Sequence, residues 1–138
     1  MIISSENQRE FSKLCLHDSI YSGFVFDYET QTVKLSCENH LENKRFDFIF
    51  QQVVAINAQN CCFWGSSNRI YDVWIDEKPV YFEKLLRIQA QNAERYSLSN
   101  LDRGVSYISV AFQLTSGDDV HITCESIIVE TRNIIVFS

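Results

Sequence analysis

Proline occurs once and glycine four times in this 138-residue chain, so no stretch has the composition of a flexible linker. One compact domain is the expectation, and a globule of this length can bury roughly two-thirds of its unfolded surface. No apolar run approaches the ~20 residues of a membrane helix. The opening Met1-Ile2-Ile3-Ser4-Ser5-Glu6 lacks the basic and apolar regions of a signal peptide. Basic residues are scarce and scattered, 12 Lys and Arg against 18 Asp and Glu, for a formal charge of −6. Nucleic-acid affinity rests on clustered Lys and Arg that neutralise phosphates, so no nucleic-acid partner is expected. Five cysteines are an odd number, which with the missing export signal points to free thiols in a reducing cytoplasm. Neither G-x-x-x-x-G-K-[ST] nor G-x-G-x-x-G occurs, so no phosphate cradle of a known type is present.

What the chain does have is a two-residue beat. Val33, Leu35 and Cys37 interleave with polar neighbours, and the same phase returns in Phe46, Phe48, Phe50 and in Ile108, Val110, Phe112, Leu114. A period of two places successive side chains on opposite faces of a strand, one apolar and one wet.

Strands are expected over Ile20 to Tyr28, Thr32 to Glu38 and Arg45 to Phe50, with Glu29-Thr30-Gln31 turning the first into the second. Val53 to Ile56 reads as a fourth short strand or a bulged continuation, and Ile70 to Ile75 as a fifth. Val105 to Leu114 and Val120 to Cys124 form a hairpin around Ser116-Gly117-Asp118, where glycine supplies the positive φ of a tight turn. Ile127 to Val129 and Ile134 to Phe137 close the chain as strands. Ser5 with Gln8 three residues on has the form of a capping box, so residues 5 to 15 are expected as a short helix that turns Phe11, Leu14 and Cys15 to one side. Pro79 suits the first turn of a helix, and Tyr81, Phe82, Leu85 and Ile88 follow at helical spacing, which gives a longer helix over residues 79 to 93. The fold class is therefore α+β, with a mainly antiparallel, twisted sheet of about 6–8 strands, a short N-terminal helix and one longer helix.

No constellation assembles a reaction. His17, Asp18 and Ser19 are contiguous, and adjacent side chains cannot build a nucleophile, base and orienter. Asp18 or Ser19 is expected instead to satisfy backbone groups where the first helix meets the first strand. Cys61 and Cys62 are adjacent and have no histidine close in sequence, so neither a metal nor a cofactor is expected. Cys37 and Cys124 fall in phase with apolar strand positions and read as core residues. The carboxylate pairs Asp76-Glu77 and Asp118-Asp119 fall at turns and read as solvated. The most distinctive segment is Phe63-Trp64-Gly65-Ser66-Ser67-Asn68-Arg69-Ile70. Trp and Arg are favoured at interface hot spots, so Trp64, Ser66, Ser67 and Arg69 are the candidate partner-binding residues. The alternative is a loop folded over a sheet edge with Trp64 half buried.

Leu16-His17-Asp18-Ser19 opening a strand, a β-hairpin, and then Phe63-Trp64-Gly65-Ser66-Ser67 with Arg69-Ile70 resemble a pattern in small bacterial proteins, some of the kind that serve as immunity proteins of polymorphic-toxin systems. That resemblance implies a non-enzymatic protein-interaction module, with no catalytic residues to carry over. Its acidic surface would cover a basic site on a protein partner. The alternative is a small-molecule-binding or enzymatic domain with an aromatic-lined pocket between helix and sheet.

Overall fold

The structure, a computed structural model, describes residues 1–59, 68–91 and 105–134. Within them run nine strands and two helices: β1 (Ile2–Ser4), α1 (Arg9–Ser12), β2 (Ile20–Asp27), β3 (Thr32–Asn39), β4 (Lys44–Gln51), β5 (Ala55–Gln59), β6 (Ile70–Ile75), α2 (Val80–Gln91), β7 (Ile108–Leu114), β8 (Asp119–Cys124) and β9 (Ser126–Asn133). Every strand pairing is antiparallel, as the alternation implies. The strands divide between two sheets, ordered β1-β9-β4-β3-β2 and β5-β8-β7-β6.

Three hairpin turns follow from local chemistry. At the ends of β2 and β3, Asp27 and Asn39 each accept two backbone N–H groups through a side-chain oxygen, from Glu29 and Thr30 and from Leu41 and Glu42. Both loops then close on a residue of positive φ, Gln31 at 53° and Asn43 at 55°. An Asx side chain that imitates a turn is what these residues do best. Between β7 and β8, Gly117 takes φ 91°, the role its Ser-Gly-Asp setting implies.

The two sheets join at both sides. Gln51 to Val54 and Glu125 carry two neighbouring strand pairs around one corner, where Glu125 N–H donates to Gln51 O (3.1 Å) and Val54 N–H to Thr123 O (2.9 Å). On the other side a bridge between Ile20 and Arg69 links β2 to the start of β6. There Asp18 N–H donates to Ile70 O (2.8 Å) and Ile70 N–H to Ser19 O (2.9 Å). It is thus the backbone of Asp18 and Ser19, rather than their side chains, that makes the handover, and Asp18 adopts φ 63° to do so.

One core fills the space between the sheets, and Phe112 stands at its centre, edge-on to Phe11 (6.2 Å), Phe24 (5.6 Å) and Phe50 (6.1 Å). Phe46, Phe48 and Phe50 stack in a ladder along β4. Each such ring removes a large apolar area from water, and each pair adds about 0.5–1.5 kcal/mol beyond burial. Cys37 and Cys124 are core residues, as their phase implies.

Several local expectations are corrected. The N-terminal helix is one turn, Arg9–Ser12, and the Ser5–Gln8 capping box does not form; Gln8 is the N-cap and makes no side-chain cap bond. Asn7 wins that competition, since its amide bridges Ser4 N–H and Ile2 O and holds the preceding turn. Phe11 is buried and Leu14 partly so, but the chain leaves the helix before Cys15, which is exposed. Val53 and Val54 turn the corner, so the strand expected from Val53 begins at Ala55. Ile127 to Val129 is the heart of a longer strand, β9, and β1 adds a short strand beside it that three residues cannot announce in a sequence. The longer helix begins directly after Pro79.

Candidate functional site

The off-phase positions of sheet β5-β8-β7-β6 build a polar face. Because Ile108, Val110, Phe112 and Leu114 turn inward, Ser109, Ala111 and Gln113 turn the other way. The register sets Trp74 opposite Ala111, Ala111 opposite His121, and His121 opposite Asn57, one row across four strands. The next row sets Ser109 opposite Thr123 and Thr123 opposite Ala55, and Asp76 N–H donates to Ser109 O (2.8 Å) at its end.

Helix α2 lies over this face at β5. Tyr81 Oη donates to Gln59 Oε1 (2.8 Å), and its ring packs 4.8 Å from the imidazole of His121. Trp74 meets the same imidazole edge-on at 6.4 Å. A cleft of about 610 Å³ remains between α2, the polar face and the β2–β3 hairpin. Its walls are apolar and aromatic, with Phe26, Tyr28, Tyr81, Phe82, Leu85 and Ile88 around it; Asn57, Asp76, Ser109, His121 and Thr123 line it on the sheet side. Aromatic walls with a few convergent polar groups are the usual make-up of a binding pocket.

The polar groups differ in how well they are satisfied. The Ser109 and Thr123 hydroxyls bond each other at 2.6 Å and are buried. Asp76 Oδ1 accepts from Lys78 N–H (3.1 Å), while Oδ2 lies 3.6 Å from His121 Nδ1, too long for a hydrogen bond. His121 Nδ1 and Asn57 Oδ1 are buried atoms without a hydrogen-bond partner. Lys84 reaches the cleft from α2 and Asp27 from the hairpin.

Of the candidate partner-binding residues from the sequence, Arg69 alone lies among the described residues. Trp64, Ser66 and Ser67 lie outside the described residues, as do Cys61 and Cys62. Arg69 is exposed and does not line the cleft. Its backbone is structural: Arg69 N–H donates to Thr115 Oγ1 (3.2 Å) and Asn68 Oδ1 (3.0 Å), and Thr115 N–H donates to Arg69 O (2.9 Å). Asn68 next to it is a saturated amide, with Nδ2 donating to Tyr21 Oη (2.7 Å) and Ser116 Oγ (2.8 Å) and Oδ1 also accepting from Thr115 Oγ1 (2.9 Å). His17 turns its Nδ1 to the carbonyl of Tyr71 and sets its Nε2 3.4 Å from Asp18 Oδ2, so these two do meet; Ser19 is fully buried and stands apart from them, which leaves the three without a relay.

Two carboxylates expected as solvated turn residues are not. Asp118 is buried and accepts from Ser116 Oγ (2.8 Å), and Asp76 is the partner of His121. His121 and Asn57 are site residues that sequence reasoning missed. Their signal was present as the polar phase of two strands, but only the register brings them side by side. Among the described residues no three His, Cys, Asp or Glu side chains gather as a metal site, and no helix is long and apolar enough to cross a membrane. Comparison with protein-family models finds no match, and comparison with curated proteins finds none either.

Proposed function

We propose that this chain is a non-enzymatic protein-interaction module that docks a basic segment of a partner protein in the cleft beside α2. The observation that carries this reading is the make-up of the cleft lining, where the exposed apolar residues Phe26, Tyr28 and Ile88 occur together with the carboxylates Asp27 and Asp76. Exposed apolar groups gathered at one cleft mark a contact surface, and aromatic side chains serve best as its anchors. The net charge of −6 favours approach by a cation-rich surface. An immunity protein of a bacterial polymorphic-toxin system, working in the cytoplasm and covering a basic site on its toxin, is the form of such a module that the sequence resemblance favours. Against catalysis stands the pairing of the Ser109 and Thr123 hydroxyls with each other rather than with a base.

A second reading, a small-molecule-binding or enzymatic domain, is favoured by the His121–Asp76 pair and by the unpartnered Asn57 Oδ1 in the same cleft. Both readings yield to one comparison. Three labelled peptides of about 12 residues share their aromatic positions and differ only in carrying Arg and Lys, Gln, or Glu between them; binding is followed by fluorescence anisotropy. The basic peptide alone should bind, and about threefold more salt should weaken it, because exposed charges are screened within about 10 Å. Equal binding of all three, or of none, would contradict the module reading.

A further inference from the structure

We propose that Asp76, Asn57 and His121 form a cation subsite on the sheet side of this cleft, shaped for a guanidinium or ammonium group carried on an apolar stem. The inference deepens the docking reading above and rests on it.

Two acceptors there have nothing to accept. Asn57 Oδ1 is buried without a hydrogen-bond partner, a state that native proteins seldom leave uncompensated. Asp76 spends Oδ1 on the Lys78 N–H, but Oδ2 has only His121 Nδ1 at 3.6 Å. The Asp76 side chain is 20% exposed, so water satisfies little of that charge. Cross-strand partners on one face have Cβ atoms about 5 Å apart, so Asn57 and His121 are direct neighbours, with Asp76 against the same imidazole. A donor-rich planar group inserted here answers both acceptors at once, as a guanidinium does with its fork of N–H groups. A carboxylate or phosphate would face Asp76 and, among the described residues, find Lys or Arg only in Lys84 on the helix side.

The walls suit the stem. Tyr81 packs 4.8 Å from His121 and holds its hydroxyl on Gln59, so its ring is fixed beside the subsite. Phe82 and Leu85 line the same side. Aromatic rings next to a cation add attraction through their negative faces, and aliphatic stems bury well against them.

The probe is n-butylguanidinium, followed by the side-chain NMR signals of His121 and Asn57, with pentanamide as a neutral match in size. Saturable shifts with the guanidinium and none with the amide are expected. Asp76→Asn should weaken binding at least about tenfold, the scale of one charge-assisted bond. Glu77→Gln, which removes a neighbouring exposed charge outside the cleft, should change it less than about twofold. Asn57→Asp, a gain of charge in place, should tighten it at least about threefold, which keeps the test decisive even where Asp76→Asn harms folding. Equal shifts with pentanamide, or binding indifferent to both Asp76→Asn and Asn57→Asp, would overturn the subsite. An Arg-bearing peptide that displaces butylguanidinium assigns the cation to a partner's side chain. If the peptide fails to displace it, the subsite stands for a free small cation and the docking reading falls. If a basic peptide binds the cleft with the same affinity after both substitutions, docking stands and the subsite falls.

Discussion

Tyr81 Oη donates to Gln59 Oε1 at 2.8 Å, and that bond ties α2 to the edge strand β5. Helix α2 turns Val80, Leu86 and Ile88 to solvent, so little apolar burial holds it down. Elements with few buried contacts open locally, well below the cost of global unfolding. Tyr81→Phe should therefore speed amide exchange in α2 about fivefold, the worth of roughly 1 kcal/mol for one hydrogen bond, and leave β7 amides unchanged. Hydrogen exchange read residue by residue checks this.

Phe112 is fully buried and meets three other rings, two from the opposite sheet and one from α1. Phe112→Ala should cost about 3–5 kcal/mol in urea unfolding, with the midpoint falling and the slope unchanged. A loss below about 1 kcal/mol would mean that the two sheets do not share this core.

Burial pushes the thiols of Cys37 and Cys124 up to about 12, so both stay protonated and unreactive in the native protein. Cys15 is exposed. With Cys61 and Cys62 replaced by Ser, a thiol reagent at neutral pH should modify Cys15 alone under native conditions. Cys37 and Cys124 should react only as the chain unfolds, and mass spectrometry of the labelled sites decides the point.

Asp47 sits in an ion network on the outer face of β4. Partial burial raises its carboxyl, but the Ser36 hydroxyl (2.5 Å), Arg45 (3.3 Å) and Arg132 (3.1 Å) outweigh that and hold it below its ordinary value of 3.8. A carboxylate lowered by folding stabilises fully above its unfolded value, and that contribution is lost as pH falls through the folded value. Asp47→Asn should thus cost about 1 kcal/mol at neutral pH, with the gap to the parent closing as pH drops below 3.8. Urea unfolding of both proteins across that range measures it, and a gap that widens in acid would contradict the assignment.

Much of this fold can be read in the sequence because its signals are local. Alternation in Val33, Leu35 and Cys37 or in Ile108 to Leu114 needs only the period of a strand, Gly117 needs only its turn, and Pro79 needs only the helix that follows it. What could not be read is long-range. The division into two sheets depends on the corner at Gln51 and Glu125 and on the Ile20–Arg69 bridge, both of which join residues far apart in sequence. The aromatic wall of a pocket between helix and sheet could be read, but its polar side is illegible for the same reason: Asn57, Asp76 and His121 come from three segments, and only strand register sets them together. Near the N-terminus a local signal misled, because Asn7 offers the turn a better side chain than Ser5 offers the helix.

The docking of a basic partner beside α2 is tested most directly by mapping where the Arg- and Lys-bearing peptide sits, using backbone and side-chain NMR shifts on the isotope-labelled protein. The shifts should saturate with added peptide and centre on Phe26, Tyr28, Asn57, Asp76, Tyr81 and His121. Shifts centred instead on the outer face of β3, β4 and β9, where Glu38, Asp47 and Glu130 alternate with Arg45 and Arg132, would contradict the claim that this cleft is the binding site.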